Sequence, residues 1–305
     1  MVKKPTTLLI LESLIARGFT LDKKHQWKLV NSQFGFEGEN QLVDLLELHL
    51  KCPHILLRDL NLRNSDDRVY QIDLLVIMGS SILVHEVKNY KGFYTRDEKV
   101  LKRAGVDDIE NPELQLSRHL TRINRLKKDL GFDHFRVQGY LVYVNPDFTL
   151  YGLNEKIPEV VLPTQIQEHI KFLNSNYLPV SEEAKALAAA IQRQTVDPPI
   201  YWKNIPDYKF DDLEKGVRCE GCGKLGITGK RVYHCSTCNY KGEINQAIIT
   251  AIEEFKLLFP SQLITRSIIT EWCGGYFETT RIRRILASHY QMERKSKSTY
   301  YYSHR

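Results

Sequence analysis

The sequence predicts an α/β chain: a mixed central sheet flanked by helices, then a small cysteine-rich module and a helical C-terminal region. Three observations predict it. Residues 35–170 run in the order helix, three strand-like segments, helix, strand, which suits a mixed sheet with helices packed on it. Four cysteines are gathered late in the chain into two C-x2-C pairs. Beyond them come three short helical stretches and a basic, tyrosine-rich end.

In chain order, residues 1–33 read as a helical extension, with Leu8, Leu9, Leu11, Leu14 and Ile15 at roughly helical spacing. GFEGENQLVDLLELHL (35–50) carries an apolar stripe of Leu42, Val43, Leu45, Leu46 and Leu50 and predicts the first core helix. HILLRDLNLR (54–63), RVYQIDLLVIM (68–78) and SILVHEVKNY (81–90) are rich in β-type residues. The stretch from Gly92 to Pro112 reads as a polar hairpin and loop. PELQLSRHLTRINRLKKDLGF (112–132) predicts an amphipathic helix, with Pro112 at its first position and Asn111 as its cap. VQGYLVYVN (137–145) and EVVLP (159–163) read as strands, and QIQEHIKFLN as a short helix. The expected divisions are an extension (1–33), an α/β domain (34–178), a helix and Pro-rich linker (179–215), the cysteine module (216–243) and the C-terminal helical region (244–305).

Composition narrows the class. Of 305 residues, 42% are hydrophobic and 26% charged, and mean hydropathy is −0.36, the balance of a chain with a sizeable core and a charged surface. No apolar run approaches the ~20 residues of a membrane span. Glu12 interrupts the N-terminal apolar run and no small-residue cleavage site follows, so neither membrane insertion nor a signal peptide is expected and the expected location is cytoplasmic. The formal charge of +6 permits a polyanionic partner. It is concentrated after Ser261, where Arg266, Arg281, Arg283, Arg284, Arg294, Lys295, Lys297 and Arg305 face only Glu271, Glu278 and Glu293.

The chemistry concentrates in QIDLLVIMGSSILVHEVKNYKG (71–92). Alternation puts Asp73 on one face with Leu75 and Ile77, and Glu86 and Lys88 on one face with Ile82 and Val84. An antiparallel turn at Gly79-Ser80-Ser81 pairs positions summing to ~160, which brings Asp73 within reach of Glu86 and Lys88. His85 points to the opposite face. Converging carboxylates call for a hard divalent cation with oxygen ligands. A neighbouring lysine can then assist a bound water or stabilise charge on a phosphate. A solvated, salt-bridged hairpin is the bland alternative, and the apolar surroundings argue against it.

With these residues in view, the chain resembles the NERD (nuclease-related) domain of the PD-(D/E)xK nuclease superfamily, over about residues 30–170. The segments carrying the resemblance are GFEGE (35–39), QID (71–73), VHEVKNYKG (84–92) and NPELQ (111–115). The resemblance implies a restriction-endonuclease-like αβββαβ core. It implies Asp73, Glu86 and Glu39 as ligands of Mg2+ or Mn2+, with Lys88 assisting the attacking water. Gln71 and Gln115 match recurrent positions, which implies contacts to substrate or to Lys88. The superfamily's Pro-Asp pair is absent, because Ile72 precedes Asp73.

Cys219 and Cys222, then Cys235 and Cys238 after twelve intervening residues, have the spacing of a zinc ribbon in which four thiolates close a structural Zn2+ site. SQLITRSIITEWCGGYFETTRIRRILASHY followed by ERKSKSTYYYS resembles a winged helix-turn-helix. Arg281, Arg283 and Arg284 would lie on its second helix, with Lys295 and Lys297 in the wing. Together these readings predict a metal-dependent deoxyribonuclease, endonucleolytic rather than exonucleolytic. The alternative is a non-cleaving nucleic-acid-binding or regulatory protein on a nuclease-like fold. Oligomeric state is left open, a homodimer included.

Overall fold

The computed structural model describes residues 4–64, 66–103, 105, 108–152, 157, 159–176, 178–197, 204–295 and 298–302. The chain divides into two compact units, one of Asn31–Ile200 and one of Met1–Val30 with Tyr201–Arg305.

The Asn31–Ile200 unit is built on a five-stranded mixed sheet. Its strands are β1 (Ile55–Arg63), β2 (Val69–Met78), β3 (Ser81–Lys88), β7 (Arg136–Tyr143) and β9 (Val160–Val161), side by side in that order. β1, β2 and β3 are antiparallel; β7 runs parallel to β3, and β9 parallel to β7. The β2–β3 hairpin turns tightly at Gly79, with φ 52°. Its pairs, from Met78 with Ser81 to Leu74 with His85, sum to one less than the sequence count predicts.

Helices cover both faces. On one, Leu116 and Ile123 of α3 (Pro112–Asp129) pack with Leu75, Ile77, Ile82 and Val84. Asn111 caps α3 as expected, its side chain accepting the Glu113 N–H at 3.0 Å. α5 (Glu182–Arg193) adds Ala184, Leu187, Ala188 and Ile191 to this core. The sequence reading treats that helix as part of a linker segment; its alanine-rich face instead packs against the sheet. On the other face, α2 (Lys23–His49) contributes Leu42, Val43 and Leu46, and α4 (Ile166–Asn176) contributes Ile166, Ile170 and Leu173. The first core helix starts at Lys23 rather than near Gly35, since neither Gly35 nor Gly38 breaks it.

The polar stretch after β3 is more regular than its composition suggests. β4 (Gly92–Arg96), β5 (Val100–Lys102) and β6 (Ile109–Glu110) join β8 (Phe148–Tyr151) in a second sheet ordered β6-β5-β4-β8. Tyr94, Leu101 and Phe148 are its buried residues, and they tie it to the α3 side of the core.

In the other unit, α1 (Thr6–Ala16) buries Leu8, Ile10, Leu11 and Leu14 and packs on α6 (Ile244–Leu258). Arg17, 0% exposed, stacks 3.4 Å from the Trp272 ring centroid. It also pairs with Glu254 at 2.6 Å and donates to the Glu214 carbonyl at 2.8 Å. The N-terminal segment is therefore part of this unit's core. A cysteine-bearing hairpin pairs β10 (Val232–His234) with β11 (Lys241–Glu243). α6 is followed by α7 (Arg266–Trp272), α8 (Thr279–His289) and an antiparallel ribbon of β12 (Gln291–Lys295) and β13 (Ser298–Tyr302). Ile264, just before α7, bridges to Tyr301 of β13.

Candidate active site and metal centres

The charged cluster lies where the strand ladder fails. β1 pairs Arg58 with Leu74 and Leu60 with Ile72, skipping the facing positions Asp59 and Asp73. On the other side, β2–β3 pairing stops at Leu74 with His85. Both β1 and β2 change phase here. Ile72 joins Leu75 and Ile77 in one core, whereas strict alternation would place it with Leu74 and Val76. Leu57 and Leu60 likewise share a face. Asp59 takes φ 52°, a left-handed conformation uncommon for a non-glycine residue.

Asp73 is thus not held in a plain alternating strand with Leu75 and Ile77, as the sequence suggests. Freed from the ladder, its Oδ2 accepts the Val87 N–H at 2.9 Å and stitches β2 to β3 through a side chain. Asp73 consequently sits beside the Glu86–Lys88 stretch.

Glu86 is 1% exposed. Its Oε1 pairs with Lys88 Nζ at 2.6 Å. Its Oε2 lies 3.1 Å from His119 Nδ1 of α3, without the geometry of a hydrogen bond. Lys88 Nζ also donates to Gln115 Oε1 at 3.1 Å. Gln115 and His119, one helical turn apart, present two polar groups to neighbouring residues of β3. Among the resemblance-based residues, Gln115 therefore meets Lys88, while Gln71 lies exposed opposite Asn61.

Glu39 approaches from α2. A Cβ at Gly38 would lie 2.6 Å from the Asn89 Cβ, so only glycine lets the helix come this close to the end of β3. Asn89 fastens the approach by donating to the Phe34 carbonyl at 2.7 Å and accepting from Asn145 at 3.0 Å.

The electrostatics follow from this packing. Burial, then the charges of Asp59 and Glu86, push the Glu39 carboxyl up to about 7. Burial, then Glu86 and Glu39, hold Asp73 well above the usual carboxylate range. Burial would raise Glu86 as well, but His119 and Lys88 outweigh it and keep Glu86 below its ordinary value. Burial would lower Lys88; Glu86 and Asp73 reverse that and raise it. A crowded carboxylate set with one buried carboxylate oxygen lacking a hydrogen-bond partner fits a divalent cation. Among the described residues, however, Glu39, Asp73 and Glu86 are not drawn within 4.8 Å of one another as the cysteines are.

Cys219, Cys222, Cys235 and Cys238 do form such a group, with all four sulfurs within 4.8 Å. The Cys219–Cys238 and Cys222–Cys235 sulfurs are 3.6 Å apart. Tetrahedral bonds of about 2.3 Å to zinc imply a sulfur separation of ~3.8 Å, so the four thiols fit that ion. Backbone N–H groups of Cys238 and Thr237 draw the Cys235 thiol down to about 6, toward the thiolate a metal requires.

Residues 34–144 match the family model NERD, nuclease-related domain. No curated protein and no solved structure matches the chain. The match points to a nuclease-related function with nucleic acid as substrate, and Glu39, Asp73, Glu86, Lys88, Gln115 and His119 all fall inside the matched segment. Sequence reasoning missed three of its polar residues. Asp59 looked like an ordinary charge in a strand, Asn89 like the polar end of one, and His119 like one polar position on an amphipathic helix. Only the i, i+4 spacing of Gln115 and His119 could have signalled the last.

His85, on the face away from Glu86, packs against Tyr140 with its Nε2 3.1 Å from that of His169, a buried pair with no link to the cluster. In the C-terminal region Arg283 and Arg284 are exposed. Arg281 is engaged with the Gly229 and Lys230 carbonyls, so it is not poised beside them as an equivalent basic group. The backbone of Lys295 ends β12, and Lys297 lies outside the described residues. Among the described residues no helix is long and apolar enough to cross a membrane.

Proposed function

We propose that the chain is a metal-dependent nuclease that hydrolyses phosphodiester bonds in DNA, with endonucleolytic cutting favoured. The observation that carries the reading is the lapse of the ladder on both sides of Asp73, which leaves Asp73 and Glu86 side by side at Lys88.

Asp73, Glu86 and Glu39 are the residues that would hold Mg2+ or Mn2+. Such an ion supplies an acidified water and neutralises charge on the phosphate. Lys88 is held as a cation by Glu86 and Asp73. It therefore serves as a positive donor to the water or phosphate rather than as a base. Gln115 holds the lysine in place by accepting from its Nζ.

The four cysteines take a structural Zn2+, leaving no open coordination position. The order α6, α7, α8 and ribbon, with Ile264 bridging to Tyr301, supports a winged helix-turn-helix. Arg283 and Arg284 would then meet phosphates, joined by Lys295 and Lys297 of the wing. A cytoplasmic location accords with reduced, metal-binding thiols. A homodimer is compatible with this reading but not required by it.

The test is Mg2+-dependent cleavage of supercoiled plasmid and linear DNA by the wild type, Glu86→Ala and Lys88→Ala. The variants should lose cleavage while retaining DNA binding. Equal activity in all three would remove the catalytic assignment. Binding without cleavage by the wild type would favour the non-cleaving alternative.

A further inference from the structure

We propose that His119 is itself a ligand of the cation held at Glu86, giving the centre a mixed imidazole–carboxylate donor set that favours Mn2+ over Mg2+. The inference rests on the nuclease reading above and names the metal class that site selects.

Glu86 Oε2 and His119 Nδ1 lie 3.1 Å apart, on residues 1% and 4% exposed. Neither atom has a hydrogen-bond partner among the described residues. A buried donor and acceptor this close ordinarily share a proton along the line between them. The same separation is that of adjacent ligands on one ion: bonds of about 2.1–2.2 Å meeting near a right angle leave ~3 Å between donors, so a cation bound here would take the place of a proton between them.

The rest of the site leaves these two atoms for the metal. Glu86 Oε1 is occupied by Lys88, so Oε2, which faces His119, is the oxygen left for a cation. α3 is fixed by the Asn111 cap and by Leu116 and Ile123 in the core. On the far side, Tyr70 lies 6.2 Å from the His119 ring, centroid to centroid, with Arg122 4.6 Å above the Tyr70 ring. An imidazole donor suits the borderline first-row ions better than Mg2+, which prefers oxygen and retained water.

The test is pulsed EPR of Mn2+ bound to the full chain, prepared with 14N- and 15N-labelled histidine, alongside Mn2+ and Mg2+ titrations. The structural Zn2+ is diamagnetic and silent. Wild type should show a directly coordinated imidazole nitrogen whose coupling changes with the isotope. Glu86→Gln should abolish that coupling, which localises it. His119→Ala should abolish it too and weaken Mn2+ at least about tenfold, while Mg2+ affinity changes less. His119→Asn, which keeps a polar group of similar reach, guards against loss of fold and should not restore the imidazole signal. If Mn2+ binding depends on Glu86 but shows no histidine nitrogen, His119 is not a ligand and the nuclease reading survives. If Mn2+ affinity is indifferent to Glu86→Gln, both readings fall.

Discussion

Replacing Glu39 by Gln should stabilise the protein at pH 8 when no divalent cation is added. The Glu39 carboxyl is raised from its ordinary 4.5 to about 7, chiefly by burial, then by Asp59 and Glu86. Between those two values the folded chain binds more protons than the unfolded chain, so stability falls as pH rises from 4.5 and levels off above 7. At about 1.36 kcal/mol per pH unit, that interval corresponds to about 3 kcal/mol before solvent screening of the partly exposed side chain reduces it. Glutamine keeps the shape and removes the titration. The variant should therefore match wild type at pH 4 and exceed it by about 1–3 kcal/mol at pH 8. Hydrogen exchange of β2 and β3 amides, compared between the two proteins at each pH, reads the difference. Tryptophan fluorescence would not, because no tryptophan occurs in the Asn31–Ile200 stretch. Millimolar Mn2+ should then reverse the order, since it needs the carboxylate. A Glu39→Gln protein destabilised equally at both pH values would refute the reasoning.

Three further outcomes are expected. Cys219→Ser or Cys235→Ser should lose the bound zinc, about one ion per chain by elemental analysis, and lower the unfolding temperature of the unit containing α6–α8. Arg17→Ala leaves Glu254 buried with one partner fewer, and should cost about 3–5 kcal/mol in urea unfolding followed by Trp272 fluorescence. Arg283→Ala with Arg284→Ala should weaken DNA binding and flatten the slope of log K against log salt by about two, whereas Arg281→Ala, already bound to carbonyl oxygens, should alter the slope less.

Much of the sheet was legible because its physics is local. The run from Val69 to Met78 and the turn at Gly79 carry strand propensity and turn chemistry in adjacent residues, and the register followed to within one residue. The Asn111 cap and Pro112 start of α3 were equally local. The misses were not. The start of α2 at Lys23 depends on a helix running through two glycines, one of which, Gly38, is required by a partner 51 positions later, Asn89. The strands of the second sheet are short and polar, and their partner β8 lies beyond α3 and β7, so no local pattern marks them.

The phase slip at Asp59 and Asp73 is the clearest case of information absent from local pattern. Alternation assigns each strand residue to a face only while the ladder continues. Here it lapses in two strands at facing positions, and the side chain that gains freedom is the one with chemistry to perform. The result is a cluster in which Glu39 and Asp73 hold protons more readily than ordinary carboxyls, while Glu86 stays ionised against Lys88 and His119. Such a set is frustrated without a cation, because proximity raises the cost of each added negative charge. A divalent ion relieves that frustration by displacing the protons and satisfying the Glu86 oxygen that has no hydrogen-bond partner. Metal binding to this cluster should therefore release protons near neutral pH. Titration calorimetry in buffers of different ionisation enthalpy measures that release, and Glu39→Gln should reduce it. A release unchanged in that variant would mean that the cation, if it binds, binds elsewhere.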